Sequence, residues 1–143
     1  MRALLDVNVL IALLDSDHVH HAAAAAWLDT HLKDGWASCP ITQNGCIRIM
    51  SQPGYPNPLS AAEIAERLAE AAAGPGHRFW PDAVSMLDRA VIDRARLLGA
   101  RQVTDAYLLA LAVHNKGRFV TFDRSIALDV VPSAKAQHLH VLS

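Results

Sequence analysis

Five short apolar runs, separated by stretches of helical character, constrain the fold of this chain most. In chain order they are "RALLD", "WASCP", "HRFWP", "RFVTFD" and "HLHVL", and each reads as a short β-strand. Strands that alternate with helices pair in parallel, because the crossover between parallel neighbours is long enough to hold a helix. A parallel sheet is covered by helices on both of its faces. The pattern therefore predicts an α/β fold with a mainly parallel central sheet.

Six segments between these strands have helical character, and three of them carry boundary signals. Ser60 and Glu63 have capping-box spacing before the fourth helix, and Thr104 is a plausible N-cap of the sixth. Gly99 is expected to end the fifth helix and Gly117 the sixth. The segments are "VNVLIALLD", "HHAAAAAWLDTHLK", "ITQNGCIRIMS", "AAEIAERLAEAAAG", "MLDRAVIDRARLLG" and "TDAYLLALAVHNKG". The intervening "QPGYPNP" is a loop, since three prolines and a glycine cannot continue a helix.

Length and composition predict a single globular domain covering residues 1–143. The chain has 143 residues, 52% of them hydrophobic, which is enough to cover one core. No apolar run is long enough to cross a bilayer, and no signal-peptide pattern opens the chain, so a cytoplasmic location without a membrane anchor is expected. Cys39 and Cys46 fit neither a zinc motif nor a disulfide framework.

The charges are distributed unevenly along the chain, although the net charge is only -1. Residues 1–77 carry four Lys/Arg against eight Asp/Glu, whereas residues 78–124 carry eight against five. The small net charge argues against a generally basic, nonspecific nucleic-acid binder. The basic later half favours either a polyanion on one face or ordinary solvated helix surface.

Three aspartates are candidates for one acidic site. Asp6 and Asp123 each follow an apolar strand, and Asp105 lies in the first turn of a predicted helix. The carboxyl ends of parallel strands form the ligand-binding edge of such sheets. Converging carboxylates repel one another and share a proton or a cation, and all-oxygen ligands suit Mg2+ or Mn2+. Such an ion can activate water for phosphodiester hydrolysis.

Each candidate also has a structural reading. Asp105 could cap its helix, Asp123 could begin a turn, and Asp6 could pair with a buried arginine. Asn8 could orient Asp6 or simply form a local turn. Other polar and aromatic residues are better explained by surface or core positions than by a site: His18, His20, His21, Trp36, Trp80 and Tyr107. Arg118 and Arg124 flank the strand before Asp123, where each could face solvent or a phosphate.

Across nearly the whole chain the ordered motifs resemble the PIN-domain ribonucleases, and most closely the VapC toxins of bacterial toxin-antitoxin modules. The resemblance rests on "LLDVNVLIALL", "HVHHAAAAAW", "CPITQNGCIRIMSQPGY" and "VTDAYLLALAVHNKGRFVTFDRS". It implies a three-layer α/β/α sandwich, a Mg2+ or Mn2+ site, and cleavage of single-stranded RNA to a 5′-phosphate and a 3′-hydroxyl. It also implies inhibition by a cognate VapB-type antitoxin. Assembly as a homodimer is expected as well. By this resemblance Asp6, Asp105 and Asp123 are the catalytic and metal-binding acids.

The family usually has a glutamate in the stretch that matches "ITQNG", where this chain has Gln43. An amide can accept a hydrogen bond or offer its oxygen to a metal, but it removes one negative charge. Gln43 and Asn8 are therefore predicted as site-supporting residues, with Gln43 near Asp6 and with stronger metal binding expected for Gln43→Glu.

Three alternatives to a ribonuclease differ in the residues that they require. A haloacid-dehalogenase-type phosphatase needs a second aspartate two residues after Asp6, where Asn8 stands. A response-regulator receiver needs an aspartate after a middle strand, which "WASCP" and "HRFWP" do not supply. A catalytically weakened PIN module that binds RNA or antitoxin remains open because of Gln43.

Overall fold

The fold is a five-stranded parallel sheet with five helices. The computed structural model describes all residues, 1–143. Its strands are β1 (Ala3–Leu5), β2 (Trp36–Ser38), β3 (His77–Phe79), β4 (Arg118–Thr121) and β5 (Leu139–Val141). Its helices are α1 (Val7–Leu14), α2 (His21–Thr30), α3 (Pro40–Met50), α4 (Ala61–Ala72) and α5 (Val103–His114). The strand order is β3-β2-β1-β4-β5, and every neighbouring pair is parallel, which confirms the predicted fold class.

The sheet separates two hydrophobic cores, because successive strand residues point to opposite faces. Leu4, Ala37 and Phe119 point to the face that α5 covers. Ala3, Leu5 and the other alternate strand residues point to the face covered by α1, α2, α3 and α4. The structure thus has the three layers that the resemblance implied. None of its helices meets the length and apolarity needed to cross a membrane.

The predicted helix "MLDRAVIDRARLLG" is wrong. Residues 86–99 form turns and one short 3-10 helix, Arg94–Arg96. Two aspartates explain the failure: Asp88 accepts a hydrogen bond from the N–H of Ala90 (2.9 Å), and Asp93 accepts one from the N–H of Ala95 (3.1 Å). Such local side-chain bonds offer the backbone an alternative to the helix. The segment still supplies buried Ile92 to the core under α5.

The boundary predictions were partly right. Ser60 and Glu63 do form a capping box at the start of α4. Thr104 is not the N-cap of α5, because that helix already includes Val103. Gly99 precedes a 3-10 turn, Ala100–Gln102, instead of ending a helix.

Gly117 follows the end of α5 but is not its C-cap. Asn115 is the C-cap, and Lys116 takes the left-handed conformation with φ 57°. The N–H of Gly117 bonds to the carbonyl of Ala112 (2.8 Å), as in a Schellman ending. A Cβ on Gly117 would stand 2.5 Å from the Trp80 ring, so the absence of a side chain lets β4 enter the sheet here.

Candidate active site at the carboxyl edge of the sheet

Asp6 is placed by the junction between β1 and α1. It is the N-cap of α1, where its Oδ1 accepts the N–H of Val7 (2.7 Å). Its Oδ2 accepts the hydroxyl of Thr121 at the end of β4 (2.6 Å). The side chain is buried, and burial raises the pKa of Asp6 although the bonds from Thr121 and Val7 act in the opposite direction. Two hydrogen bonds therefore hold the carboxyl group of Asp6 in one orientation, at a position with little access to water.

Thr121 connects the two strands that carry the acids. It is fully buried, it donates to Asp6, and its Oγ1 accepts the N–H of Asp123 (3.0 Å). One hydroxyl thus fixes both aspartates at the ends of β1 and β4. Sequence reasoning missed this residue. The available signal was a polar side chain at the end of the otherwise apolar "RFVTFD".

Asp105 and Asp123 complete an acidic group with Asp6. Asp105 lies in the first turn of α5, and its carboxyl group is close enough to Asp123 for their charges to interact. Burial, together with the charges of Asp6 and Asp123, raises the pKa of Asp105 to about 7. Hydrogen bonds from the side chain and the N–H of Ser125 (2.6 and 2.8 Å) lower the pKa of Asp123. The charges of the three carboxyl groups thus influence one another at this edge of the sheet.

These residues fit a hard divalent cation by their chemistry. All three offer carboxylate oxygens, the ligands that Mg2+ and Mn2+ prefer. The raised pKa of Asp105 means that a proton relieves the repulsion when no cation does so. The oxygens are nevertheless not gathered into a finished coordination shell, since no three His, Cys, Asp or Glu side chains are arranged as a ready ligand set. The group is electrostatically suited to a cation but does not enclose one in advance.

Asn8 lies beside this group on α1. Its Nδ2 donates to Thr121 Oγ1, and its Oδ1 accepts the N–H of Phe122; the distance is 3.4 Å in each of these hydrogen bonds. The amide thus ties the start of α1 to the end of β4. The role of Asn8 as a site-supporting residue stays a prediction. Its side chain contacts Thr121 and makes no hydrogen bond to Asp6.

Gln43 makes no hydrogen bond to the three acids. Its Nε2 donates to Ser38 Oγ (3.0 Å), and Ser38 Oγ is 2.8 Å from Nε2 of His77. Successive helix residues point about 100° apart, so the cleft side of α3 is presented by Asn44 and Arg48 instead. The expected position of Gln43 near Asp6 stays a prediction, with its amide bonded to Ser38 at the end of β2.

A cleft of about 580 Å³ opens over Asp6. Its polar lining includes Asn44, Arg48, Asp82 and Thr104. Close packing of α3 on α1 shapes it, since a Cβ on Gly45 would stand only 2.8 Å from Cγ2 of Val7. A side chain at position 45 would prevent this close approach of the two helices.

Asp82 was missed by sequence reasoning because it lies in an irregular segment. The hydroxyl of Tyr107 on α5 donates to Asp82 Oδ1 (2.7 Å). Tyr107 is buried, as are Trp36 and Trp80, which confirms the predicted core positions of these aromatic residues. The bond orients Asp82 at the rim of the cleft.

The remaining polar candidates lie away from the acids or serve local structure. Nδ1 of His21 is 2.7 Å from the carbonyl of Ala12, and His20 stacks on Phe122 with ring centroids 4.6 Å apart. Arg118 begins β4, at the opposite end from Asp123, where its Nε donates to the carbonyl of Gln137 (3.2 Å). None of these residues joins the acidic group.

Comparison with known sequences places this site in a family. The PIN domain model matches residues 3–129, which include all three aspartates. Ribonuclease VapC44 of Mycobacterium tuberculosis (strain H37Rv) is 61% identical over 142 residues, covering 99% of this chain and 100% of that protein. Ribonuclease VapC39 of the same strain is 45% identical over 128 residues, covering 89% of this chain and 92% of its own.

Solved structures agree with the fold. The crystal structure of VapBC2 from Rickettsia felis bound to a promoter DNA fragment has a TM-score of 0.65 at 12% identity, with full coverage of both chains. That of M. tuberculosis VapC20, a toxin that cleaves the sarcin-ricin loop, has a TM-score of 0.59 at 10% identity over 81% of this chain and 85% of its own. At such low identity these neighbours show the fold alone. The family match and the close relatives show that this chain belongs to the PIN domain family and, within it, to the VapC ribonucleases.

Proposed function

We propose that this protein is the toxin of a type II toxin-antitoxin module, an endoribonuclease that hydrolyses RNA phosphodiester bonds with Mg2+ or Mn2+. The observation that carries the proposal is the convergence of Asp6, Asp105 and Asp123 at the carboxyl edge, beside an open cleft. The VapC relatives support the ribonuclease activity. The whole chain, residues 1–143, acts as one PIN domain in this proposal.

The residues divide the work of the reaction. Asp6, Asp105 and Asp123 would hold one or two divalent ions, which supply an activated water and neutralise charge on the phosphate. Thr121 keeps Asp6 and Asp123 in register, and Asn8 supports Thr121. The buried position of Asp6 strengthens its electrostatic interactions with a cation, because screening by water is weaker there.

A VapB-type antitoxin is the proposed partner. The Rickettsia felis neighbour was solved as a VapBC pair, and this chain shares its fold. A nuclease that attacks cellular RNA in the cytoplasm must be held silent, so the antitoxin is expected to cover the cleft over Asp6. Self-association as a homodimer is proposed with it. A saturated toxin-antitoxin complex that still cut RNA at the full rate would contradict this arrangement.

The function is tested by cleavage of total bacterial RNA, followed by sequencing of the cut ends. Wild type should cut with Mg2+ or Mn2+, leave a 5′-phosphate, and stop on addition of EDTA. Asp6→Asn should reduce the rate by more than about a hundredfold, beyond the usual loss from residues outside a ligand shell. Asp29→Asn, an exposed aspartate on α2, is the matched control and should cut like wild type.

Metal binding gives a second readout. Titration calorimetry with Mn2+ should show clear loss of affinity in Asp6→Asn, with the fold retained by circular dichroism. Undiminished cleavage and Mn2+ affinity in Asp6→Asn would overturn the assignment. RNA binding without cleavage by wild type, whichever of the two metals is supplied, would instead support the weakened binding module.

A further inference from the structure

Two arginines flank the acidic group on opposite sides of β1. Arg48, on α3, lines the cleft that contains Asp6. Arg101, just before α5, lines a smaller cavity with Asp105 and Ser125. Helix α3 follows β2, whereas Ser125 follows β4, and these two strands are the neighbours of β1 in the sheet. The acids therefore lie between two cationic side chains.

Neither arginine is committed to another part of the protein. Arg48 and Arg101 are exposed, form no side-chain hydrogen bond, and have no carboxylate within 4.0 Å, although both line cavities that contain an aspartate. By contrast, Arg96 pairs with Asp129 at 3.2 Å. Arg2, Arg94 and Arg118 donate to backbone carbonyls. Arg67 and Arg89 are also unpaired, but the cavities that they line contain none of the three acids. The two flanking guanidinium groups are thus free to bind a ligand.

The local charge indicates which ligand this is. A nucleic-acid backbone entering a cleft lined by Asp6 and Asp82 meets repulsion that one ion at the acids relieves only locally. Guanidinium groups bind phosphate in a bidentate manner and remain charged at all accessible pH values. Their positions on both sides of the acids match a chain that carries phosphates on either side of the cleaved bond.

We propose that Arg48 and Arg101 bind the backbone phosphates on the two sides of the scissile bond, so that single-stranded RNA crosses the carboxyl edge from α3 to the loop after β4. This inference rests on the proposed ribonuclease function and adds the path of its substrate. Phosphate contacts of this kind fix position without reading sequence. The two arginines are accordingly binding residues that contribute the same affinity to different RNA sequences.

The test measures the salt dependence of RNA binding. Fluorescence anisotropy of fluorescein-labelled oligouridine is recorded in EDTA over a series of KCl concentrations, for wild type, Arg48→Gln, Arg101→Gln and the double variant. Each phosphate contact removed should reduce the slope of log K against log salt by about 0.7. The double variant should lose about twice that. In Mn2+, the variants should raise KM for RNA more than they lower kcat.

Arg67→Gln and Arg89→Gln are the matched controls. Both residues are exposed and without a carboxylate within 4.0 Å, Arg67 on α4 and Arg89 in the irregular segment. Both controls should keep the wild-type slope and KM. If the slope falls as much in the controls as in Arg48→Gln and Arg101→Gln, RNA binding depends on the overall charge of the protein, and the proposed path of the RNA is wrong.

The outcomes separate this inference from the proposed function. If wild type cuts RNA while Arg48→Gln and Arg101→Gln keep its slope and KM, only the path is overturned. If wild type does not cut RNA with either metal, the ribonuclease function fails, whatever the slopes. If the two variants lose affinity for the purified antitoxin and keep the RNA slope, the arginines belong to the protein partner and the inference is overturned.

Discussion

Two polar regions lie side by side on this sheet and differ in how their charge is balanced. At β1 and β4, Asp6, Asp105 and Asp123 bring three carboxyl groups together with no cationic partner within 4.0 Å. At β2 and β3, Gln43 donates to Ser38, and Ser38 bonds to His77. The second region contains no carboxyl group, and burial, together with the charge of Arg2, lowers the pKa of His77, which favours its neutral form.

The difference shows where a ligand is needed. The network of Gln43, Ser38 and His77 contains no carboxyl group, so it has no repulsion between like charges for a proton or a cation to relieve. In the acidic group, a proton or a cation must reduce the repulsion between the three carboxyl groups, as the raised pKa of Asp105 indicates. Perturbed carboxyl groups of this kind concentrate at functional sites.

Among changes to these two regions, Thr121→Val is expected to have the largest effect on metal affinity and RNA cleavage. The change removes the hydroxyl that holds Asp6 and Asp123, while its size remains nearly the same. Loss of such an orienting partner typically costs about 10–100-fold in metal affinity or activity. Calorimetry with Mn2+ and cleavage assays measure both quantities. Thr121→Ser keeps the hydroxyl and should retain most of the Mn2+ affinity and of the cleavage rate. If the Val and Ser variants lose equal amounts, the hydroxyl of Thr121 does not orient the acids and the residue only packs in the core.

A smaller effect is expected on the stability of the metal-free protein in Asp105→Asn. The folded pKa of Asp105 is about 7, above its ordinary 3.8, so the folded state retains a proton that the unfolded state releases. This cost to stability is absent below pH 4 and grows until pH 7. Asn removes it, with a gain of about 1–2 kcal/mol at pH 8, a value reduced for the solvent screening of a half-buried group.

Urea denaturation in EDTA at pH 4 and pH 8 measures that gain. The advantage of Asp105→Asn over wild type should be larger at pH 8, although the variant cannot cleave RNA. Asp29→Asn should show no such pH dependence, since it lies outside the acidic group. An advantage of equal size at both pH values would show that Asp105 does not carry the repulsion.

The smallest effect on metal binding is expected from Gln43→Glu. The sequence alone predicts tighter Mn2+ binding, but the structure directs this side chain to Ser38, so we expect unchanged affinity. A carboxylate beside Ser38 should instead raise the pKa of His77, which NMR titration of its ring protons can follow. Asn44→Asp is the matched control, because Asn44 lines the cleft with Asp6 and an added charge there should tighten Mn2+ binding. Tighter binding in Gln43→Glu would restore the original prediction.

The sequence by itself determined the architecture. Short apolar strands alternating with helices leave few options besides a parallel sheet, because periodicity and connection length are local properties. The positions of Asp6 and Asp123 after strands and of Asp105 at a helix start followed from the same reading. The exception was residues 86–99, where hydrophobic spacing favoured a helix but Asp88 and Asp93 bonded to nearby backbone.

Only the tertiary structure decided which polar groups meet. The rotation of α3 placed Asn44 and Arg48 in the cleft and turned Gln43 toward Ser38, and nothing in "ITQNG" specifies that rotation. It follows from packing, since Gly45 lets α3 lie directly against Val7 of α1. Thr121 reaches Asp6 across 115 residues of chain for the same reason. Local pattern fixes which elements form, whereas contacts between distant side chains depend on how those elements pack.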